Sequence, residues 1–121
     1  MKWFYKKKGF TLLELMIVVI IIGILATLAM PRFITAANRA REAEGRAILG
    51  SIRSAQLRYY LEWDAYTNTI GNLDIDLTAN PSDYYTYSAL DGTGGIGQAA
   101  ADQGFTLNNF RIAEDGTISP Y

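Results

Sequence analysis

The hydrophobic pattern changes character at Pro31. From Phe10 to Met30 the chain runs for 21 residues with Glu14 as its single ionisable group. As a helix rising about 1.5 Å per residue this stretch spans roughly 32 Å, the thickness of a ~30 Å bilayer core. Beyond Pro31 the pattern becomes amphipathic. Ile48, Ile52, Ala55, Tyr59 and Trp63 recur at three- and four-residue steps and form one apolar stripe, flanked by Leu49, Gln56 and Tyr60. Arg39, Glu42, Arg46 and Arg53 fall on another face, with Glu42 and Arg46 at a supportive i,i+4 spacing. No proline interrupts residues 32–62, and alanine, arginine and glutamate favour a helix there. The pattern predicts one long helix from Phe10 to about Glu62, its second half covered by a sheet along the stripe.

After Asp64 the signals are those of turns and strands. Gly71, Asn72, Asn80 and Pro81 mark an irregular connector from Asp64 to Asp83. Asp83 to Leu90, rich in aromatic and β-branched residues, predicts a strand. The glycines and alanines from Gly92 to Ala101 read as a flexible connection, and Phe105 to Ile112 as a second strand. Glu114-Asp115-Gly116 is a tight turn, because Asp-Gly suits a hairpin with positive φ, and a short third strand starts over Thr117 to Ser119. A fourth strand is an occasional feature near Thr67–Asp76. The fold class is α+β: a long helix packed on a small antiparallel sheet.

Composition narrows the chemistry. The chain of 121 residues is half apolar, which suits one domain plus a membrane segment. It contains neither cysteine nor histidine, which removes disulfides, thiol chemistry and Ser-His-Asp catalysis. The Gly92–Gly97 cluster lacks the lysine and the strand–helix order of a nucleotide loop, and no paired-carboxylate signature appears. The sequence is not that of an enzyme.

Charge orients the apolar segment. Lys2, Lys6, Lys7 and Lys8 precede it and Arg32 is the first charge after it, so the amino end is expected in the cytoplasm. The segment is longer than the 7–15 residues of a signal-peptide core, whereas an ordinary single-pass anchor stays open as a reading. Glu14 speaks against the plain anchor. A carboxylate inside a membrane helix costs about 2.5–3.5 kcal/mol on insertion scales, and a positive partner at the same depth would offset it. Cleavage after Gly9 would create one, the α-amino group of Phe10, about one helical turn away.

The run Gly9-Phe10-Thr11-Leu12-Leu13-Glu14-Leu15, behind three lysines and ahead of the apolar stretch, resembles the processing site and N-terminal helix of type IV pilins and type II secretion pseudopilins. The likeness is strong over about residues 6–62 and loose beyond. It implies a leader at 1–9, a membrane and filament-core helix at 10–31, an amphipathic helix at 32–63, and a connector with a sheet at 64–121. It also implies that a prepilin peptidase cuts between Gly9 and Phe10 and N-methylates Phe10. Glu14, with Thr11 and Phe10, then serves assembly with an adjacent subunit. Pro31 falls where pilin helices have a kink that can melt, and Gly23 adds a second weak point; proline removes a backbone donor and opens a helix at about 3 kcal/mol. Proline as a simple marker of the membrane exit stays open beside it.

The implied life cycle starts in the bacterial inner membrane, with a cytoplasmic N-terminus. An assembly platform then builds a helical homopolymer with minor pilins, ending as an extracellular pilus, or in the periplasm for a pseudopilin. The expected function is a structural pilus subunit, the major pilin. A major pseudopilin is the alternative, and a membrane-tethered adhesion or binding module that never polymerises is an alternative of another class; the latter makes Glu14 dispensable.

Charge is split along the molecule: residues 32–61 hold six arginines against two glutamates, and residues 62–121 one arginine against nine acids. Opposed charge sets register and encounter, either between neighbouring subunits or within one. No cofactor is expected. Asp74 and Asp76, with Asp83, Asp91 or Asp115, read as solvated turn residues rather than a calcium site, which needs 6–8 oxygens, and the calcium-loop motif of major pseudopilins is not found. The aromatic set of Tyr59, Tyr60, Trp63, Tyr66, Tyr84, Tyr85 and Tyr87 reads as packing between helix and sheet rather than a conducting stack. The acidic C-terminal part argues against nucleic-acid binding.

Overall fold

The structure is a computed structural model and describes residues 9–77, 83–102 and 104–121. The order is a helix α1 (Leu12–Trp63), a 3-10 turn (Ile70–Asn72), then strands β1 (Tyr85–Gly92), β2 (Gly95–Ala101), β3 (Phe110–Ile112) and β4 (Ile118–Pro120). The chain divides into two units, Met1–Ala36 and Ala37–Tyr121.

The first unit holds the apolar half of α1. The helix runs through both Gly23 and Pro31. At each, the carbonyl oxygen accepts a threonine hydroxyl from the next turn: Thr27 Oγ1 to Gly23 at 2.9 Å and Thr35 Oγ1 to Pro31 at 3.0 Å. Hydroxyls turned back onto the helix in this way are satisfied without water. Every residue from Phe10 to Met30 is exposed, so the described residues of this unit form no core of their own.

The second unit, the head, supplies the core. Its sheet is antiparallel throughout, in the order β1-β2-β3-β4. Ile48, Leu49, Ile52 and Ala55 from α1 pack with Tyr85, Ala89, Ile96, Ala99, Phe110 and Ile112 from the sheet and Leu73 from the connector. The helical stripe is therefore used as its period predicts, with two changes. Leu49 and Gln56, expected as flanking positions, are fully buried, whereas Trp63 is 66% exposed and only stacks on Tyr59.

The strands depart further from expectation. The glycine- and alanine-rich run is not a flexible connection but largely an inner strand, β2. Its small residues are what let the helix approach: a Cβ on Gly97 would lie 3.0 Å from methyl groups of both Ile112 and Ile52. Gly97→Val is expected to destabilise the head by about 2 kcal/mol, overpacking outweighing the gain in strand propensity; a denaturant titration measures it. The tight loop into β2 requires glycine at Gly92 and Gly94, with φ of 95° and 87°. The expected strand Phe105–Ile112 is reduced to its last three residues. Side-chain bonds divert the rest: Asn109 Oδ1 accepts from the Ala101 amide at 2.9 Å, and Asn108 Nδ2 donates to Glu42 at 2.9 Å. The region near Thr67–Asp76 forms the 3-10 turn, not a strand. The Ala113–Thr117 turn is as predicted, with the Gly116 amide donating to Ala113 at 3.0 Å. Residues 78–82 of the predicted connector lie outside the described residues.

Burial also fixes a tyrosine. The Tyr85 ring packs on Gly45, where a Cβ would come within 2.9 Å of it, and its hydroxyl donates to the Asn108 carbonyl at 3.1 Å. Burial, then the Glu42 carboxylate, push its phenol up to about 12. A pKa raised in the folded state favours the neutral phenol. The stability it carries is intact below the unfolded value near 10 and is lost as pH rises through about 12. The melting temperature is expected to fall over that window, and less steeply in Tyr85→Phe.

Most of the basic face is spent inside the subunit, and on aromatic rings and backbone more than on acids. The Arg41 guanidinium lies 4.7 Å from the Tyr84 ring centroid and 5.2 Å from that of Phe105, and Arg46 lies 4.5 Å from that of Phe110. Arg53 Nε donates to the Glu114 carbonyl at 2.9 Å. Arg58 donates to the Asp74 carbonyl at 2.9 Å and sits 3.9 Å from its carboxylate. These four arginines thus have partners within the subunit.

Candidate functional site

The functional site predicted from the sequence lies at the start of α1. Thr11 immediately precedes the first helical residue, the N-cap position, and Glu14 stands three residues later. The two cap each other. The Thr11 amide and hydroxyl donate to Glu14 Oε2 at 2.8 and 3.0 Å, and the Glu14 amide donates to Thr11 Oγ1 at 3.2 Å. This is a capping box, which satisfies backbone donors that a helix start leaves without partners. It also places the carboxylate in the first turn, where the helix dipole favours a negative charge. The signature Thr-x-x-Glu is plain in the sequence at Thr11-Leu12-Leu13-Glu14; reading Glu14 only as a partner for another chain overlooks it.

Gly9 and Phe10 stand just ahead of the box, and Phe10 is 82% exposed. The structure thus gathers Gly9, Phe10, Thr11 and Glu14 at one helix start. Gly23 and Pro31 lie farther along the same helix, and Lys6–Lys8 lie outside the described residues. On one side of the helix Leu12, Leu15, Met16, Val19 and Ile20 line a shallow apolar groove. An uninterrupted apolar surface of this kind marks contact with a membrane or another protein.

Elsewhere in the described residues the candidate sites do not assemble. No three acidic side chains come together in a cation-binding arrangement. The turn aspartate Asp115 instead accepts from the Thr117 amide at 2.8 Å, a bond that holds its carboxyl below the usual range.

Comparison with known proteins bears on the same segment. Residues 5–30 match the family described as the prokaryotic N-terminal methylation motif. A fimbrial protein, EcpC, of Eikenella corrodens is 34% identical over 127 residues, covering 93% of this chain and 80% of that protein. The type IV major pilin PilA of Myxococcus xanthus is 44% identical over 63 residues, which take in 52% of this chain and 29% of the pilin. The type II secretion system core protein G of Pectobacterium carotovorum is 35% identical over 65 residues, 54% of this chain and 42% of that protein. The matches thus span less than half the length of the latter two relatives. No solved structure matches the chain. The methylation motif coincides with the capped helix start, and the Eikenella fimbrial protein matches nearly the whole chain; the chain belongs to the type IV pilin and type II secretion pseudopilin family, whose members are structural subunits and not enzymes.

Proposed function

We propose that the chain is the major subunit of a type IV pilus, held in the bacterial inner membrane with a cytoplasmic amino end until assembly. The observation that carries this reading is the apolar run from Phe10 to Met30, exposed at every residue, with one carboxylate, Glu14, fixed at its start. No described residue of the first unit covers that surface, so lipid covers it before assembly and the helices of other copies after it.

The chemistry of the start follows. In the uncut chain the Phe10 nitrogen is a neutral amide. Cleavage after Gly9 by a prepilin peptidase turns it into an amine, which N-methylation leaves basic. Thr11 donates two hydrogen bonds to one Glu14 oxygen, and a carboxylate has about four lone-pair positions. Glu14 can therefore keep its cap while taking the Phe10 ammonium of a neighbouring subunit. Gly23 and Pro31 then mark where the helix opens when the fibre forms or is stretched. An assembly platform and minor pilins are the expected partners; no cofactor and no nucleic acid are assigned. A major pseudopilin of a type II secretion system is the second reading, favoured by the likeness to the Pectobacterium protein.

The test combines mass and imaging. A subunit mass beginning at methylated Phe10 in sheared surface fibres is the expected result. Processed protein without surface fibres would favour the pseudopilus, and an unprocessed mass from Met1 would overturn both.

A further inference from the structure

We infer that the cleft at the carboxyl end of α1, walled by Tyr59, Glu62 and Asp74, receives the guanidinium of Arg39 from a second copy of this chain. The inference rests on the filament reading above. It starts from what the subunit leaves unpaired. Four arginines on α1 are engaged within the head, as described, while Arg32 and Arg39 are exposed and have no partner among the described residues. Arg32 stands two residues past the apolar run, where lipid headgroups meet it before assembly. Arg39 lies about 10 Å farther along the helix and has no such use.

The complementary charge sits at the carboxyl end of the same helix. The cleft there holds about 100 Å³, lined by Ala55, Arg58, Tyr59, Glu62, Asn72 and Asp74. That is the room of about three waters, which suits a planar guanidinium. Glu62 has no partner among the described residues. The Asp74 side chain is 98% exposed and only 3.9 Å from Arg58, whose shorter bond goes to the backbone; an exposed pair of this kind contributes little. One carboxylate is thus free and the other weakly held. The Tyr59 ring, stacked on Trp63 with centroids 6.2 Å apart, forms the wall. Carboxylates beside an aromatic face are the surroundings a guanidinium favours, and arginines of this chain already rest on aromatic rings at Tyr84, Phe105 and Phe110. Leu61 and Trp63, the chain neighbours of Glu62, are 84% and 66% exposed and offer apolar surface that a contact would cover.

Distance excludes the chain's own Arg39. It is 23 positions from Glu62 on one helix, about 35 Å of rise. Only another copy can supply the cation. A contact joining two different positions along one helix is heterologous, and such contacts build open fibres rather than closed dimers. Between parallel helices it sets a stagger of about 35 Å.

Charge reversal in the full chain tests the contact. Arg39→Glu and Glu62→Arg are each expected to lower the yield of assembled fibre at least about tenfold, since like charges brought together cost more than the 1.4 kcal/mol of a tenfold change. Combining them is expected to restore the yield, whereas combining Arg32→Glu with Glu62→Arg does not. Because the parent has no cysteine, a chain carrying both Arg39→Cys and Glu62→Cys should give multimer ladders with a short bis-maleimide, and neither single variant should. This second readout decides if a charge variant fails to fold. Normal fibres in both single reversals, or fibres without ladders, would overturn the contact and leave the filament reading standing. A parent chain that forms neither fibres nor oligomers would overturn the filament reading and the contact with it.

Discussion

Replacing Glu14 by alanine is expected to abolish fibres, by at least a hundredfold in recovered subunit, while leaving the chain processed and in the membrane. The reasoning is energetic. The carboxylate makes the membrane-held state less favourable by about 2.5–3.5 kcal/mol, and a charge-assisted bond to the Phe10 amine of a neighbour makes the assembled state more favourable. Alanine removes both effects, so the equilibrium moves toward the membrane on two counts, each worth more than the 1.4 kcal/mol of a tenfold change. Two further variants separate the charge from the cap. Glu14→Gln keeps an acceptor for the Thr11 amide and hydroxyl but cannot hold an ammonium as an ion pair, and is expected to behave like alanine. Thr11→Val removes the hydroxyl from the capping box at about 1 kcal/mol and should reduce fibres only about fivefold. Quantitative blotting of membrane and sheared fractions measures all three. Full fibres from Glu14→Ala would remove the assembly role assigned to this carboxylate.

The features that were legible in the sequence are those written in adjacent residues. The apolar run and its lone carboxylate, the stripe through Ile48, Ile52 and Ala55, and the Asp115-Gly116 turn each depend on neighbours within one or two turns of chain; so does the Thr-x-x-Glu start, whose capping role went unread. What was not legible depends on approach between distant elements. β2 looks like a linker because its residues are small, and they are small because Gly97 must pass between Ile52 and Ile112. The 105–109 stretch has strand-like composition, yet Asn108 is held by Glu42, 66 positions earlier. The charge asymmetry was visible, but its partners were not: the arginines chose aromatic faces and backbone carbonyls, neither of which appears in a count of charges.

Gln56 is the extreme case, and its replacement by leucine is expected to be the most damaging single change in the head. The side chain is fully buried. Its Nε2 lies 2.7 Å from the Thr67 carbonyl, 3.0 Å from that of Leu90 and 3.0 Å from that of Ile96, and its Oε1 accepts from the Thr67 amide at 3.1 Å. One amide on the helix thus ties together the connector, β1 and β2, with two hydrogens shared among three carbonyls. Leucine fills a similar volume but leaves these backbone groups without their partner in a place water does not reach. Each such group costs about 1–3 kcal/mol, so the loss is expected on the order of 3–5 kcal/mol, a large part of the 5–15 kcal/mol typical of a whole domain. Chemical denaturation of the detergent-solubilised chain, followed by the near-ultraviolet signal of its tyrosines, measures it. Gln56→Glu sharpens the test, because an ionised carboxylate faces three acceptors and donates to none. It is expected to be at least as harmful at neutral pH and to recover partly in acid, where the protonated carboxyl regains one donor. A Gln56→Leu midpoint equal to that of the parent would show that the buried amide is dispensable and that apolar packing alone holds the sheet to the helix.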